Sequence, residues 1–369
     1  MSKPPMALYE DGMSTLFTPF RLGRLELPNR IVMSPMTRSR AIGNVPNAQM
    51  ASYYALRADA GLIITEGTAP SPNGLGYARI PGVYSPAQIV GWRTVTDAVH
   101  AAGGRIFIQI MHTGRIAHAA NQPAGSRIIA PSAVAAAGNM YTDELGPQPH
   151  PLPEAMTDDD LRTTLDEFVH AAKSAIAGGA DGVEVHGANG YLLEQFLNAS
   201  SNHRTDVYGG SVEGRIRYVV EVTEAVVAAI GADRVGIRLS PYGRNGDLAP
   251  DVDTDAVYLA LGRELSRLGI AYVHVVDHAA LGAPPVPAAI KEGLREVFRG
   301  AFILAGGYDR ATAEVDLATG KADLVAFGRP FLANPKLVAK LRDDRPLAAP
   351  DPSTFYTPGD RGYLDYPID

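Results

Sequence analysis

Cysteine is absent from all 369 residues. That excludes disulfides, zinc–thiolate sites, iron–sulfur clusters and thiol nucleophiles. Lysine is scarce, confined to Lys3, Lys173, Lys291, Lys321, Lys336 and Lys340. None of these ends a strand-like run, which argues against Schiff-base chemistry. No apolar run approaches the ~18 residues of a membrane span. The opening Met1-Ser2-Lys3-Pro4-Pro5 lacks the apolar core of a secretion signal, so the expected compartment is the cytoplasm. Basic residues number 33 against 40 acidic ones, for a net charge of -7. This disfavours a nucleic-acid or membrane partner but leaves room for a local cationic pocket. At 46% hydrophobic and 20% charged residues, the composition is that of a folded globular protein.

What the chain does contain is alternation. Apolar strand-like runs cover Asn29–Met36, Leu62–Thr68, Arg105–His112, Gly182–Gly187, Arg234–Pro241, Ala271–His278, Ala301–Gly307 and Asp323–Gly328. They read as parallel strands buried on both faces. Helical segments lie between them. One starts at Thr157, with Asp160 three residues on as in a capping box, and ends at Gly178-Gly179. A second starts at Ser211, and a third runs from Asp253 to Leu268 before Gly269. Eight such units predict one (β/α)8 TIM barrel spanning 1–369 as a single domain. A doubly wound sheet is the competing α/β arrangement, but neither G-x-G-x-x-G nor a P-loop occurs. Leu16–Pro28 reads as a hairpin closing the barrel bottom after a short N-terminal extension, 1–15. Thr113–Ala155, after strand three, reads as a long excursion capping the mouth, and the tail 348–369 as a segment folded back over the barrel.

In this fold, active sites form where strands end and loops begin. Strand one ends at Pro35, Met36 and Thr37; strand two at Glu66 and Gly67; strand three at Gln109 and His112. Strand four ends at His186, with Asn189 and Tyr191 just beyond, and strand five carries Arg238. Gly306-Gly307 and Gly328-Arg329 follow strands seven and eight, where barrels commonly bind phosphate. Glycine admits an anion close to backbone N–H groups, and arginine adds a bidentate charge. His186 and Asn189 can both donate to one oxygen, and Tyr191 is a candidate general acid. Arg238 at the mouth calls for an anion, and Gln109 suits an imide edge. Each has a plainer reading as a turn, a packed ring or an internal ion pair. Glu184 and His186, two apart, could join His274 or His278 at a metal, and Glu66 with Glu184 could be offered as a glycosidase pair; nothing else in the sequence supports either.

The segments Asn29-Arg30-Ile31-Val32-Met33-Ser34-Pro35-Met36-Thr37-Arg38, Gln109-Ile110-Met111-His112-Thr113-Gly114-Arg115 and His186-Gly187-Ala188-Asn189-Gly190-Tyr191-Leu192-Leu193-Glu194-Gln195-Phe196-Leu197, with Gly328-Arg329-Pro330-Phe331, resemble the old yellow enzyme family of FMN-dependent ene-reductases. The resemblance runs from about Leu16 to Pro367. It implies a TIM barrel binding FMN tightly without a covalent link, with NADPH or NADH as diffusible donor. Pro35, Met36, Gly67 and Gln109 would line the flavin, Thr37 would meet its C4 carbonyl, and Arg238 would sit near N1. Gly306, Gly307, Gly328 and Arg329 would hold the phosphate. His186 and Asn189 would bind the oxygen of a small activated alkene or nitro compound, and Tyr191 would give the proton. Tyr77 and Tyr356 would border the substrate pocket. Met111 stands where many relatives have Trp, implying a looser wall, and Thr37 places the chain in the threonine subgroup. A barrel that binds flavin or a phospho-ligand without turnover is the alternative, and monomer and homo-oligomer both stay open.

Overall fold

The computed structural model describes residues 14–368; the expected N-terminal extension lies outside the described residues up to position 13. Eight parallel strands close a barrel: β1 (Ile31–Met33), β2 (Leu62–Ile64), β3 (Ile106–Ile110), β4 (Gly182–Gly187), β5 (Val235–Leu239), β6 (Tyr272–Val276), β7 (Ala301–Ala305) and β8 (Leu324–Phe327). Each lies within one of the eight apolar runs. Apart from Ala301, all their residues are buried, because the barrel interior covers one face and a ring of helices the other. Several runs outlast their strands by two or three residues. Those residues, Ser34–Thr37 among them, leave the ladder to form the rim, where proline costs no sheet hydrogen bond.

The helix signals hold. Thr157 and Asp160 form a reciprocal capping box on Asp158–Ala177. Ser211 caps Val212–Ile230 by accepting from the Gly214 N–H. Thr254–Leu268 ends at Gly269 in the left-handed conformation. No helix of the described residues is long and apolar enough to cross a membrane.

Phe20–Leu22 pairs antiparallel with Leu25–Leu27, and Leu22 and Leu27 plug the barrel floor against Val32, Leu62, Tyr272 and Ile303. Leu22→Ala should cost about 2–5 kcal/mol through the cavity it leaves. Because the plug lies at the end opposite the rim, ligand binding there should not change. A lowered urea midpoint with unaltered ligand affinity would confirm both points.

The excursion is partly ordered by its own strands: Asn139–Thr142 pairs with Gly146–Pro149, and Ile129–Ala130 with Glu154–Ala155. It caps the mouth as expected, with Met140 packed on Tyr77 and Tyr191. The tail also folds back. Arg40 donates to the carbonyls of Thr354 (2.9 Å) and Phe355 (2.7 Å), and Arg38 to that of Gly362 (2.6 Å). Tyr363 stacks on Tyr53 with ring centroids 4.0 Å apart. These contacts carry Tyr356 to the rim.

Candidate active site

A cavity of about 430 Å³ opens at the C-terminal ends of the strands, within the size range of small-ligand sites. Ten of the expected site residues border it: Pro35, Met36, Thr37, Asn189, Arg238, Gly306, Gly307, Gly328, Arg329 and Tyr356. One wall is the rim after β1. Another is built by the loops after β7 and β8. Gly307 has a φ of 73° and backs onto Ala280, so a side chain there would be both strained and blocked. Gly328 differs. A Cβ on it would meet Met36 Sδ at 3.7 Å and Ser34 Cβ at 3.8 Å, with nothing nearer. Its missing side chain keeps space open between the rim and Arg329.

Arg238 is a buried cation on β5. It is 6% exposed, and its Nε has no hydrogen-bond partner. Burial lowers its pKa, opposed by the carboxylate of Glu184, but a guanidinium starts so high that it stays charged. Across the barrel, Glu184 accepts from Gln109 Nε2 at 2.7 Å, and its other oxygen lies 2.9 Å from His274 Nδ1. Gln109 therefore spends its amide N–H on Glu184, which leaves its carbonyl end for another partner. The two carboxylates once considered as a pair are tied elsewhere: Glu184 as described, and Glu66 to the Arg38 N–H (3.2 Å) and Tyr54 hydroxyl (3.3 Å). No cluster of three metal-binding side chains occurs among the described residues.

His186 and Met111, both buried, and the half-buried Tyr77 and Tyr191 form a cluster apart from the main cavity. The His186 and Tyr191 rings meet edge to face at 5.0 Å, and the Tyr191 hydroxyl donates to that of Tyr77 at 2.9 Å. His186 Nδ1 accepts from the Ala188 N–H at 3.3 Å, so the ring proton sits on Nε2. Burial, with Arg238 next, pushes the His186 pKa well below its usual value and keeps the ring neutral. Burial and Tyr77 push the Tyr191 phenol well above 10, so it keeps its proton. Met111 is 1% exposed and lies directly over Gly67, which has no side chain to obstruct it. A side chain at Gly67 would displace Met111 from its place. Tyr356, at 60% exposed, stands on the outer lip.

The loop carrying Asn189 and Tyr191 is held by a residue the sequence did not single out. Buried Glu194 accepts from the Gly190 N–H (2.6 Å), the Ser240 hydroxyl (2.6 Å) and the Tyr258 hydroxyl (2.7 Å). Ser240 in turn accepts from the Asn189 N–H at 2.8 Å. Burial raises the Glu194 pKa to about 7, against those donors. Gly190 has a φ of 78° and backs onto the Asn245 carbonyl, so only glycine fits. The one sign of Glu194 in the sequence is its place in the segment from His186 to Leu197 that carries the resemblance.

An elongated anion could thus lie with its charged end on the glycine loops and Arg329. Beside it stand two neutral donors and a protonated phenol. Residues 15–348 match the family described as NADH:flavin oxidoreductase / NADH oxidase. The chain is 44% identical to 12-oxophytodienoate reductase 1 of Oryza sativa subsp. japonica, covering 96% of this chain and 93% of the relative. It is 42% identical to a probable flavin mononucleotide-dependent alkene reductase of Leishmania infantum, covering 98% and 100%. The solved structure of an old yellow enzyme homologue from Zymomonas mobilis superposes with a TM-score of 0.92 at 40% identity, covering 96% and 99%.

Proposed function

The chain belongs to the NADH:flavin oxidoreductase / NADH oxidase family, that of the old yellow enzymes, and from that premise we propose how its own residues perform the reaction. It is an FMN-dependent oxidoreductase that uses NAD(P)H to reduce the double bonds of small activated alkenes.

The residues present fit FMN. Arg238 offers an unpartnered, buried cationic N–H in the lining of the cavity. Gly328 leaves side-chain space open beside Arg329, where a phosphate would lie. Gln109 has its carbonyl end free for an imide N–H. Pro35, Met36 and Thr37 would lie along the ring, with the Thr37 hydroxyl near the C4 carbonyl. Gly306, Gly307, Gly328 and Arg329 would hold the phosphate, and Arg238 would face N1 and the C2 carbonyl. When bound, FMN supplies the hydride chemistry, taking hydride from the nicotinamide and giving it to the alkene β-carbon.

The protein's part is to bind, polarise and protonate. His186 Nε2–H and the Asn189 amide donate to the carbonyl or nitro oxygen, drawing charge toward it and away from the β-carbon. Tyr191 protonates the α-carbon. Its O–H points at Tyr77 in the resting site, so it must turn from that partner toward the substrate. One cavity serves both nicotinamide and alkene, which makes the kinetics ping-pong. The same donors accept nitro compounds, and the need for reduced nicotinamide suits a cytoplasmic location.

The observation that carries this reading is a cavity lined by Arg238, Asn189 and two glycine loops, with the His186–Tyr191 ring pair on the same segment as Asn189. Holding flavin without turnover would need none of His186, Asn189 and Tyr191. Purified protein should be yellow, and 2-cyclohexenone should stimulate anaerobic NADPH or NADH oxidation. A yellow protein that no activated alkene stimulates would favour the non-catalytic reading.

A pH expectation follows from the two shifts. A raised Tyr191 pKa keeps the acid form present through neutral pH and past 10, and a lowered His186 pKa keeps that ring neutral down to acidic pH. Neither group changes state in the usual assay range. These two groups should therefore add no break to the alkene half-reaction from about pH 6 to 9 in stopped-flow traces, and a single break near 7 would report Glu194, which holds the same loop. A break elsewhere in that window would contradict one of these assignments.

A further inference from the structure

Asn189 has an orientation problem. A side-chain amide can present either its nitrogen or its oxygen to a ligand, and the two choices act oppositely on a substrate oxygen: one donates, the other repels. The backbone settles only where the side chain starts. Asn189 is left-handed at φ 59°, with its N–H held by Ser240 Oγ at 2.8 Å. Something else must choose between the two amide faces.

His278 is placed to do so. It lies on the loop after β6, borders the same cavity, and has its Nε2 2.8 Å from Asn189 Oδ1. We propose that His278 is a positioning residue: its Nε2–H ties down the oxygen of the Asn189 amide and leaves the nitrogen facing the substrate oxygen. The inference rests on the reading of Asn189 as a substrate donor and adds what makes it one. Around the ring stand Arg238, which together with burial disfavours a further proton, and Asp277, which favours it. Asp277 is itself engaged by Lys291 at 3.2 Å. A proton on Nε2 is required whether the ring is neutral or charged, so the contact does not depend on its titration.

The test compares His278→Ala, His278→Gln, Asn189→Ala and the double alanine variant as FMN-loaded holoenzymes. The readout is titration with 4-chlorophenol, followed by the long-wavelength charge-transfer band, together with kcat and KM for 2-cyclohexenone and the flavin midpoint potential. Glutamine can place an N–H near the position of Nε2. His278→Ala should weaken phenol binding and raise KM by about tenfold, the size expected for an oriented hydrogen bond lost. His278→Gln should recover most of that. The double variant should bind no worse than Asn189→Ala, and the potential should stay put. Weakening by Asn189→Ala with no change in His278→Ala would overturn the inference alone. So would a glutamine variant as impaired as alanine, or losses that multiply in the double variant. If Asn189→Ala leaves binding intact, the reading of Asn189 falls and the inference with it.

Discussion

Replacing Tyr191 with phenylalanine should slow alkene reduction by about 10² to 10⁴, the usual contribution of a positioned general acid. Reduction of the enzyme by NAD(P)H should be nearly untouched, because that half-reaction moves no proton through the phenol. The substitution removes one oxygen from a packed ring. Met111, Leu75 and Ile80 form the apolar cluster against which Tyr77 and Tyr191 pack, and the ring's contacts there and with His186 survive. The Tyr77 hydroxyl loses its donor, but Tyr77 is only half-buried, so water can take that place. The cost should therefore appear in chemistry and not in folding. Anaerobic stopped flow separates the halves: the reductive phase keeps its rate while the oxidative phase with 2-cyclohexenone lengthens. A nitroalkene, whose reduced form is a stable anion that water can protonate later, should be spared much of the loss. Equal slowing of both halves, or of neither, would remove Tyr191 from the proton-donor role.

Much of this arrangement is legible in the sequence, and the reasons for the rest are physical. Parallel strands buried on both faces are mostly apolar, so all eight announce themselves as runs even where Gln109, Glu184, Arg238 or His274 interrupts them. Helix starts at Thr157 and Ser211 are local hydrogen-bond devices contained within four residues. The strand-end rule then places nine of the expected residues around one cavity, and Tyr356, implied by the resemblance, joins them from the tail. What cannot be read are partnerships between distant positions. Asn189 meets His278 across 89 residues, and Glu194 meets Ser240 across 46. His278 has no periodicity to mark it as anything but a loop histidine. Arg38 and Arg40 look like surface charge in the sequence, yet both are 1% exposed and clamp the tail through backbone carbonyls. Gln109 was legible as an amide at a strand end, but not which of its ends Glu184 would occupy. The excursion's paired segments escape notice because they run only two to four residues, and Gly146–Pro149 carries two prolines.

Arg238→Leu should lower the flavin midpoint potential by about 30 to 60 mV and weaken FMN retention. The range is that of one lost charge-assisted hydrogen bond, about 1.5–3 kcal/mol, converted for a two-electron couple. The direction follows from the sign of the charge. The cation is buried, and its Nε lacks a protein partner, so its attraction acts on whatever anion forms beside it, with little screening by water. Removing it disfavours the reduced, more negative form of the cofactor. The same change leaves Glu184 without its nearby cation, though Gln109 and His274 still hold that carboxylate. Arg238→Lys provides the contrast. It keeps the charge but gives up the planar fork, so it should recover more of the potential than of the FMN affinity. Dye-equilibration potentiometry and FMN release on gel filtration measure the two effects separately. An unchanged potential in Arg238→Leu would mean that the guanidinium serves Glu184 alone and that the cofactor's negative end lies elsewhere in the cavity.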